Sequence, residues 1–300
     1  MVNGSGVMVL VPVSGLQVSE DEKKMKKYDA KRDFDLKIWK IEEKCLNLQR
    51  SVLVVPEAIQ TIRCFFLICC TMVYSEFEQI ISSDRMRKYL TACGGDTRRA
   101  MTLYRRNLKL SQEMFTMISC FEVTLRNKID GEMRRHWGGD WLRDFIMPGG
   151  PFASDGRVDG TRKIIRKAYD SLMQAGDYSH SKLLSQMEFG VWKYMFNNVQ
   201  YRLGGRCLLN IFPNKPRTTA QNRIDNSRIF LELDYVNNVR NRIAHHEPIC
   251  FGNPVCIDTN YALRNYSRML TLFQWMGVDG VRLLYGLDHV GRECGKIMCI

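Results

Sequence analysis

Between Asp96 and about His136 the sequence carries the feature that most narrows the choice of fold. Met101, Tyr104, Leu108, Ser111, Phe115, Ile118, Glu122, Leu125, Ile129 and Met133 follow one another at intervals alternating between three and four. An α-helix puts residues so spaced on one face, whereas a half-buried strand would need apolar residues at every second position. Asp96, directly after the chain-breaking Gly94-Gly95, offers a carboxylate to cap the first turn. The pattern is longer than most helices, so the spacing predicts a kink or two consecutive helices, with Ser111 as the break. No other stretch shows a convincing strand pattern. With only 8 Pro and 22 Gly and an abundance of Met, Leu and Arg, the chain favours helix over sheet.

Further helices are expected on either side. Asp84 caps one running to Ala92. Residues 138–160 are rich in Gly, Asp and Pro and read as a loop. A basic helix over 161–175 follows, then an apolar one from Ser179 to about Leu203, ended by Gly204-Gly205. A helix over 223–244 is stopped by Pro248, and 261–276 is the last clear one. Residues 1–71 differ from the rest. A Gly/Val/Ser-rich tail leads into a charged stretch, then into an apolar, Cys-rich run broken by Pro56, with an amphipathic helix expected at 35–47. They read as an N-terminal extension, accessory or partly disordered, and residues 72–300 as the functional domain.

The net charge of +12 attracts polyanions. The charge is spread over small clusters such as Arg85/Arg87/Lys88, Arg105/Arg106, Arg134/Arg135 and Arg162/Lys163/Arg166/Lys167. Nucleic acid is therefore the first partner class and an acidic protein the second. The 11 cysteines contain no Cys-x-x-Cys pair and no zinc-finger spacing. They read as reduced small hydrophobes of a cytoplasmic chain. The best apolar run, Cys64 to Tyr74, is too short to span a bilayer, so no membrane association is expected.

The chemistry-bearing stretch is Arg240-Asn-Arg-Ile-Ala-His245-His-Glu-Pro248. Cleaving an RNA phosphodiester without metal needs a base for the 2′-OH, an acid for the 5′ leaving oxygen and a cation for the charged phosphorane. His245 has the side chain for the acid/base role and Arg240 the one for the phosphate. Asn241 can hold a phosphate or orient the histidine. His246 competes with His245, but one residue of offset turns a helical side chain by roughly 100°, so only one can face the site, and His245 is favoured. A zinc site of His245, His246 and Glu247 has no third ligand of suitable spacing; neither metal nor cofactor is expected. Glu122 falls where the apolar stripe calls for a core residue, and a buried carboxylate there needs a partner. Arg126, four residues on, is one, and Arg240 the other. Arg126 and Asn127 repeat the Arg-Asn pair of the motif. With Arg242 they are assigned to RNA contact, support of the fold being the other reading of the Arg126-Asn127 pair.

The motif, with Tyr235-Val-Asn-Asn-Val239 before it, resembles the C-terminal signature of the Abi-like family of abortive-infection proteins, part of the HEPN superfamily of helical ribonucleases. Other segments match in order. Arg87-Lys-Tyr-Leu-Thr-Ala-Cys-Gly-Gly-Asp96 with Ala100-Met-x-Leu-Tyr-x-x-Asn107 resembles its N-terminal signature. Phe121-Glu-Val-Thr-Leu-Arg-Asn127 resembles its first core helix, and Met187-Glu-Phe-Gly-Val-Trp192 its central apolar motif. The likeness spans about residues 72 to 290. It implies an all-α, HEPN-like bundle that dimerises, so that the Arg240–His245 segments of two copies face across one cleft. It also implies RNA cleavage to a 2′,3′-cyclic phosphate by a toxin or phage-defence effector, held in check by an antitoxin that is a protein or a structured RNA. The alternatives are a non-catalytic HEPN module that binds RNA or nucleotides, and a protein-interaction partner of a toxin.

Overall fold

In the computed structural model, residues 72–219 and 223–300 are described. The expected extension over 1–71, with its helix at 35–47, lies outside them. Val73–Ile300 form a compact unit. It is all-α, with twelve helices and no strand among the described residues; one isolated bridge joins Phe251 to Ile257.

Two helices lead in, α1 (Tyr74–Ile81) and α2 (Ser83–Ala92). They pack on α3 (Thr97–Trp137), the spine of the unit. Asp96 caps α3 as expected, accepting from the Arg99 amide at 2.9 Å. At the other end Arg134, Arg135 and His136 lie on the negative end of the helix dipole, and Gly138 ends the helix at φ +92°.

α3 departs from expectation twice. It runs 41 residues without a break, about 60 Å at 1.5 Å per residue. Ser111 does not interrupt it: the helix contains no Pro and only one Gly, Gly131. The buried face also runs through Ala100, Leu103, Asn107, Leu110, Met114, Met117 and Phe121, one residue earlier than the expected stripe through Leu108 and Phe115, although Ile118 of that stripe is buried too. The two stripes merge at Leu125, Ile129 and Met133. Apolar residues stand in adjacent pairs here (Leu103-Tyr104, Met114-Phe115, Met117-Ile118), so two registers satisfy the periodicity. The buried polar Asn107 and the half-exposed Phe115 disguise the true one. Phe121 therefore takes the core position, and Glu122 sits on its half-buried flank rather than on the stripe.

Beyond α3 come α4 (Trp141–Ile146) and, where a loop was expected, two short 3-10 turns. Next is α5 (Asp159–Gln174). The single apolar helix expected from Ser179 to Leu203 is three short ones, α6 (His180–Ser185), α7 (Phe189–Tyr194) and α8 (Asn198–Leu203). The chain re-caps itself between them, Asn197 accepting from the Val199 amide at 3.1 Å. α9 (Asn226–Ala244) and α10 (Asn260–Trp275) follow, then α11 (Gly280–Leu283) and α12 (Val290–Met298). α1, α4, α11 and α12 were not anticipated, and the cap of α2 is Ser82 rather than Asp84, whose carboxylate instead pairs with Arg87.

α9 carries the candidate motif and packs on α3, α7 and α10. Apolar burial of Ile229, Leu233, Val236 and Val239 holds its inner face. Two polar ties set its position. Buried Lys193 of α7 donates to Asp234 at 2.8 Å, and buried Glu232 pairs with Arg268 of α10 and with Arg228. The aromatic centre of this layer is Phe121, edge-on to Phe273 of α10 at 5.3 Å and tilted against Phe189 of α7 at 6.2 Å. Of the described cysteines none is bonded to another, and Cys93, Cys207, Cys250 and Cys294 are buried. No helix among the described residues is long and apolar enough to cross a membrane.

Candidate functional site

The end of α9 is built by an unusual cap. The His246 amide donates to the Ile243 carbonyl at 3.0 Å and the Glu247 amide to the Arg242 carbonyl at 2.7 Å. This paired pattern requires a left-handed residue just past the helix, a place usually taken by Gly. His246 occupies it at φ +57°. Non-Gly residues adopt that conformation at a cost of roughly 1–2 kcal/mol. Histidine stands there despite the strain, and its ring is exposed. His246→Gly is expected to raise the melting temperature, by the strain relieved less the chain entropy that Gly restores to the unfolded state; calorimetry of the two proteins measures it.

His245 is the C-cap residue, exposed, and its ring has no hydrogen-bond partner among the described residues. Arg240 is half-buried on the side facing α3. Five residues on a helix separate two side chains by about 140° of rotation and about 7.5 Å of rise. One copy of α9 therefore presents Arg240 and His245 on different sides rather than to one cleft.

Arg240 meets the other expected residues at the α3–α7–α9 junction. It donates to Asn241 Oδ1 at a long 3.4 Å. Glu122 lies within its field but not in a direct bridge: among the described residues no ion pair of 4.0 Å or less joins them. Burial pushes the Glu122 carboxyl above its usual range, while the Arg240 and Arg126 charges pull it back and Glu188 pushes it further up. Glu188, the residue before α7, is a member of this cluster that the sequence did not single out. Arg126, half-buried one turn after Glu122, donates to the side chain of the exposed Asn127 at 3.4 Å.

Arg242 has a different place. Its guanidinium donates to the Pro248 carbonyl at 2.7 Å and stacks over the Tyr261 ring of α10 at 4.8 Å. Its Nε sits 3.3 Å from Glu247 Oε2, off the hydrogen-bond line. The side chain expected to contact RNA straps the turn after α9 to α10.

Two further ties to this turn come from the N-terminal part of the unit. Arg85 of α2 donates to the His246 carbonyl at 2.6 Å. Buried Asn107 of α3 accepts from the buried Ile249 amide at 3.0 Å. Tyr89 adds an edge-on contact with Phe251 at 4.9 Å. Arg85 carries no sequence signal beyond its basic cluster. Asn107 does: it ends the N-terminal signature, and an Asn on a buried helix face needs a partner. Asn107→Ala leaves the Ile249 amide buried and unpaired, an expected loss of about 1–3 kcal/mol, read in a denaturant titration. Asn107→Asp, which keeps the acceptor, should recover part of it.

His245, His246 and Glu247 do not gather into a metal-binding group. Among the described residues the group of His, Cys and carboxylate donors close enough to share an ion is Glu132, His136 and Cys207. Comparison with protein-family models, with curated proteins and with solved structures finds no match for this chain.

Proposed function

We propose that this chain is a metal-independent endoribonuclease of the HEPN type, acting as a toxin or phage-defence effector, with Arg240 and His245 of two copies sharing one cleft. The observation that carries the reading is convergence. The segments that resemble the Abi-like signatures are scattered from Arg87 to Pro248, and they meet around the C-terminal turn of α9. Asn107 and Tyr89 of the first hold the turn and the chain after it. Arg126 of the second, Glu188 of the third and Arg240 of the motif all act on the half-buried Glu122 carboxyl. A fold alone would not need, at the end of this helix, a strained histidine beside one without a partner among the described residues.

In this reading a histidine base removes the 2′-OH proton and the 2′-oxygen attacks phosphorus. The 5′-oxygen then leaves with a proton from an acid, giving a 2′,3′-cyclic phosphate and a 5′-OH. Arg240 stabilises the extra negative charge on the phosphorane. Two copies resolve the 140° problem: histidine from one and arginine from the other can face the same phosphate, and two histidines divide the acid and base roles. Restraint by an antitoxin, cytoplasmic location and the RNA partner belong to the same proposal.

Incubating the purified chain with single-stranded RNA in the presence of chelator tests it. Fragments ending in 2′,3′-cyclic phosphate are expected; fragments ending in 3′-OH overturn the mechanism. One observation favours the second reading, a binding module without cleavage. Catalytic histidines are commonly oriented by a third group, and His245 has no partner among the described residues. Intact RNA bound with a steep salt dependence would establish that reading instead.

A further inference from the structure

At the far end of α3 a second set of side chains comes together that the ribonuclease reading does not use. Glu132 and His136 are one helical turn apart, so both project from the same face. Cys207 is brought to them by the turn after α8, where Gly205 and Arg206 both take positive φ, at 85° and 59°. The ligand atoms of the three residues all lie within 4.8 Å of one another. Glu132 and Cys207 are buried, while His136 is half-exposed.

The sequence hides this group: 70 residues separate His136 from Cys207, and neither has a second Cys or His at zinc-finger spacing.

We infer that Glu132, His136 and Cys207 form a zinc site that pins the turn after α8 to the C-terminal end of α3. Zinc takes sulfur, imidazole and carboxylate in tetrahedral geometry, with bonds of about 2.0–2.3 Å. Those lengths set ligand–ligand edges of about 3.3–3.5 Å. His136 Nε2 already stands 3.1 Å from Glu132 Oε1. The thiol needs to move by little more than an ångström from the far limit of the group to reach its edge.

Zinc would take the place of the hydrogen bond between Nε2 and Oε1, the neutral imidazole then carrying its one proton on Nδ1. The carboxylate is held in place by groups that would remain around a bound ion: Asn210 donates to Oε1 at 2.8 Å and Arg135 to Oε2. The Cys207 thiol is the third donor. It is buried, and its contacts are the Gly204 carbonyl at 3.4 Å and the Met133 sulfur at 3.9 Å. When zinc binds, a Zn–S bond forms and the thiol proton leaves to solvent. The fourth position, on the half-exposed His136 side, takes water.

An ion-pair network around Glu132 is the competing account, and it needs no thiol. The experiment uses the full chain, stripped with chelator and dialysed. Titration with zinc alone should show one ion bound per chain, release of one proton and a higher melting temperature. Cobalt(II) should give the near-ultraviolet sulfur-to-metal band of a thiolate site. Cys207→Ser should abolish that band. His136→Gln, at a half-exposed position that does not threaten folding, should weaken zinc binding by more than the roughly 10–100-fold that losing a supporting group brings. Cys256→Ser and Cys299→Ser, at exposed thiols, should change neither. If the folded chain binds no zinc, or binds it equally well in the Cys207→Ser and His136→Gln variants, the assignment is overturned and the group is an ion-pair network.

Discussion

His245→Ala is expected to lower RNA cleavage by about 10²–10⁴-fold, the usual contribution of a general acid or base, while leaving the melting temperature nearly unchanged. The combination is what makes the result informative. His245 is exposed at the cap of α9, and its ring has no hydrogen-bond partner among the described residues. Arg240→Ala should reduce cleavage by a comparable factor, about 10²–10³ for a lost charge-stabilising donor, but not silently. Removing the guanidinium takes away the largest opposing influence on the Glu122 carboxyl, whose pKa burial already raises. Glu122 should therefore titrate still higher in that variant. A carboxylate whose folded pKa is raised is most favourable when protonated, so its contribution to stability declines as pH rises above the ordinary carboxylate range. The Arg240→Ala protein should then lose stability relative to the parent toward neutral pH, and Glu122→Gln should remove that pH dependence. Arg240→Lys separates the roles: it keeps the charge beside Glu122 but not the two-pronged donor set for phosphate. Stability restored without activity is the expected outcome. Undiminished cleavage by His245→Ala would remove the assignment of the motif.

The sequence made the motif legible and its setting only in part. The caps and breakers were readable because they act locally: Asp96 starts α3, Gly94 and Gly95 take positive φ, and α9 ends before Pro248. The site's partners act across the fold and leave no local trace. Arg85 reaches a carbonyl 161 positions away, and Asn107 an amide 142 positions away. The expected Glu122–Arg240 bridge came close, since the two do sense each other, but its premise was a register one residue off. The structural tie of Arg242 was hidden for a related reason. In sequence it is one more cation in a basic motif, and only the turn that brings Pro248 and Tyr261 around it shows it to be a strap. His246 carries the opposite lesson: its positive φ is invisible in a sequence where Gly would have announced the cap.

That register can be tested with two phenylalanines six residues apart. Phe121 is fully buried, against Phe273 and Phe189, at the point where α3 meets α10 and α7. Phe121→Ala removes a ring that the surrounding helices cannot easily close over, and should cost about 3–5 kcal/mol. For a unit of this size that corresponds to a fall in melting temperature of very roughly 10–15 °C. Phe115 is 48% exposed, and Phe115→Ala should stay within about 0.5 kcal/mol of the parent, as surface changes do. Were the apolar stripe to run through Tyr104, Leu108 and Phe115, the order would reverse. The comparison also bears on the site. Phe121 precedes Glu122 and Phe189 follows Glu188, so a cavity between the rings loosens Glu122, which senses Arg240, and the Glu188 that acts on it. The Phe121→Ala protein, measured well below its melting temperature, should thus retain its helix content by circular dichroism and still cleave RNA more slowly than the parent. Full activity at that temperature would mean that the surroundings of Arg240 do not depend on the packing beneath them.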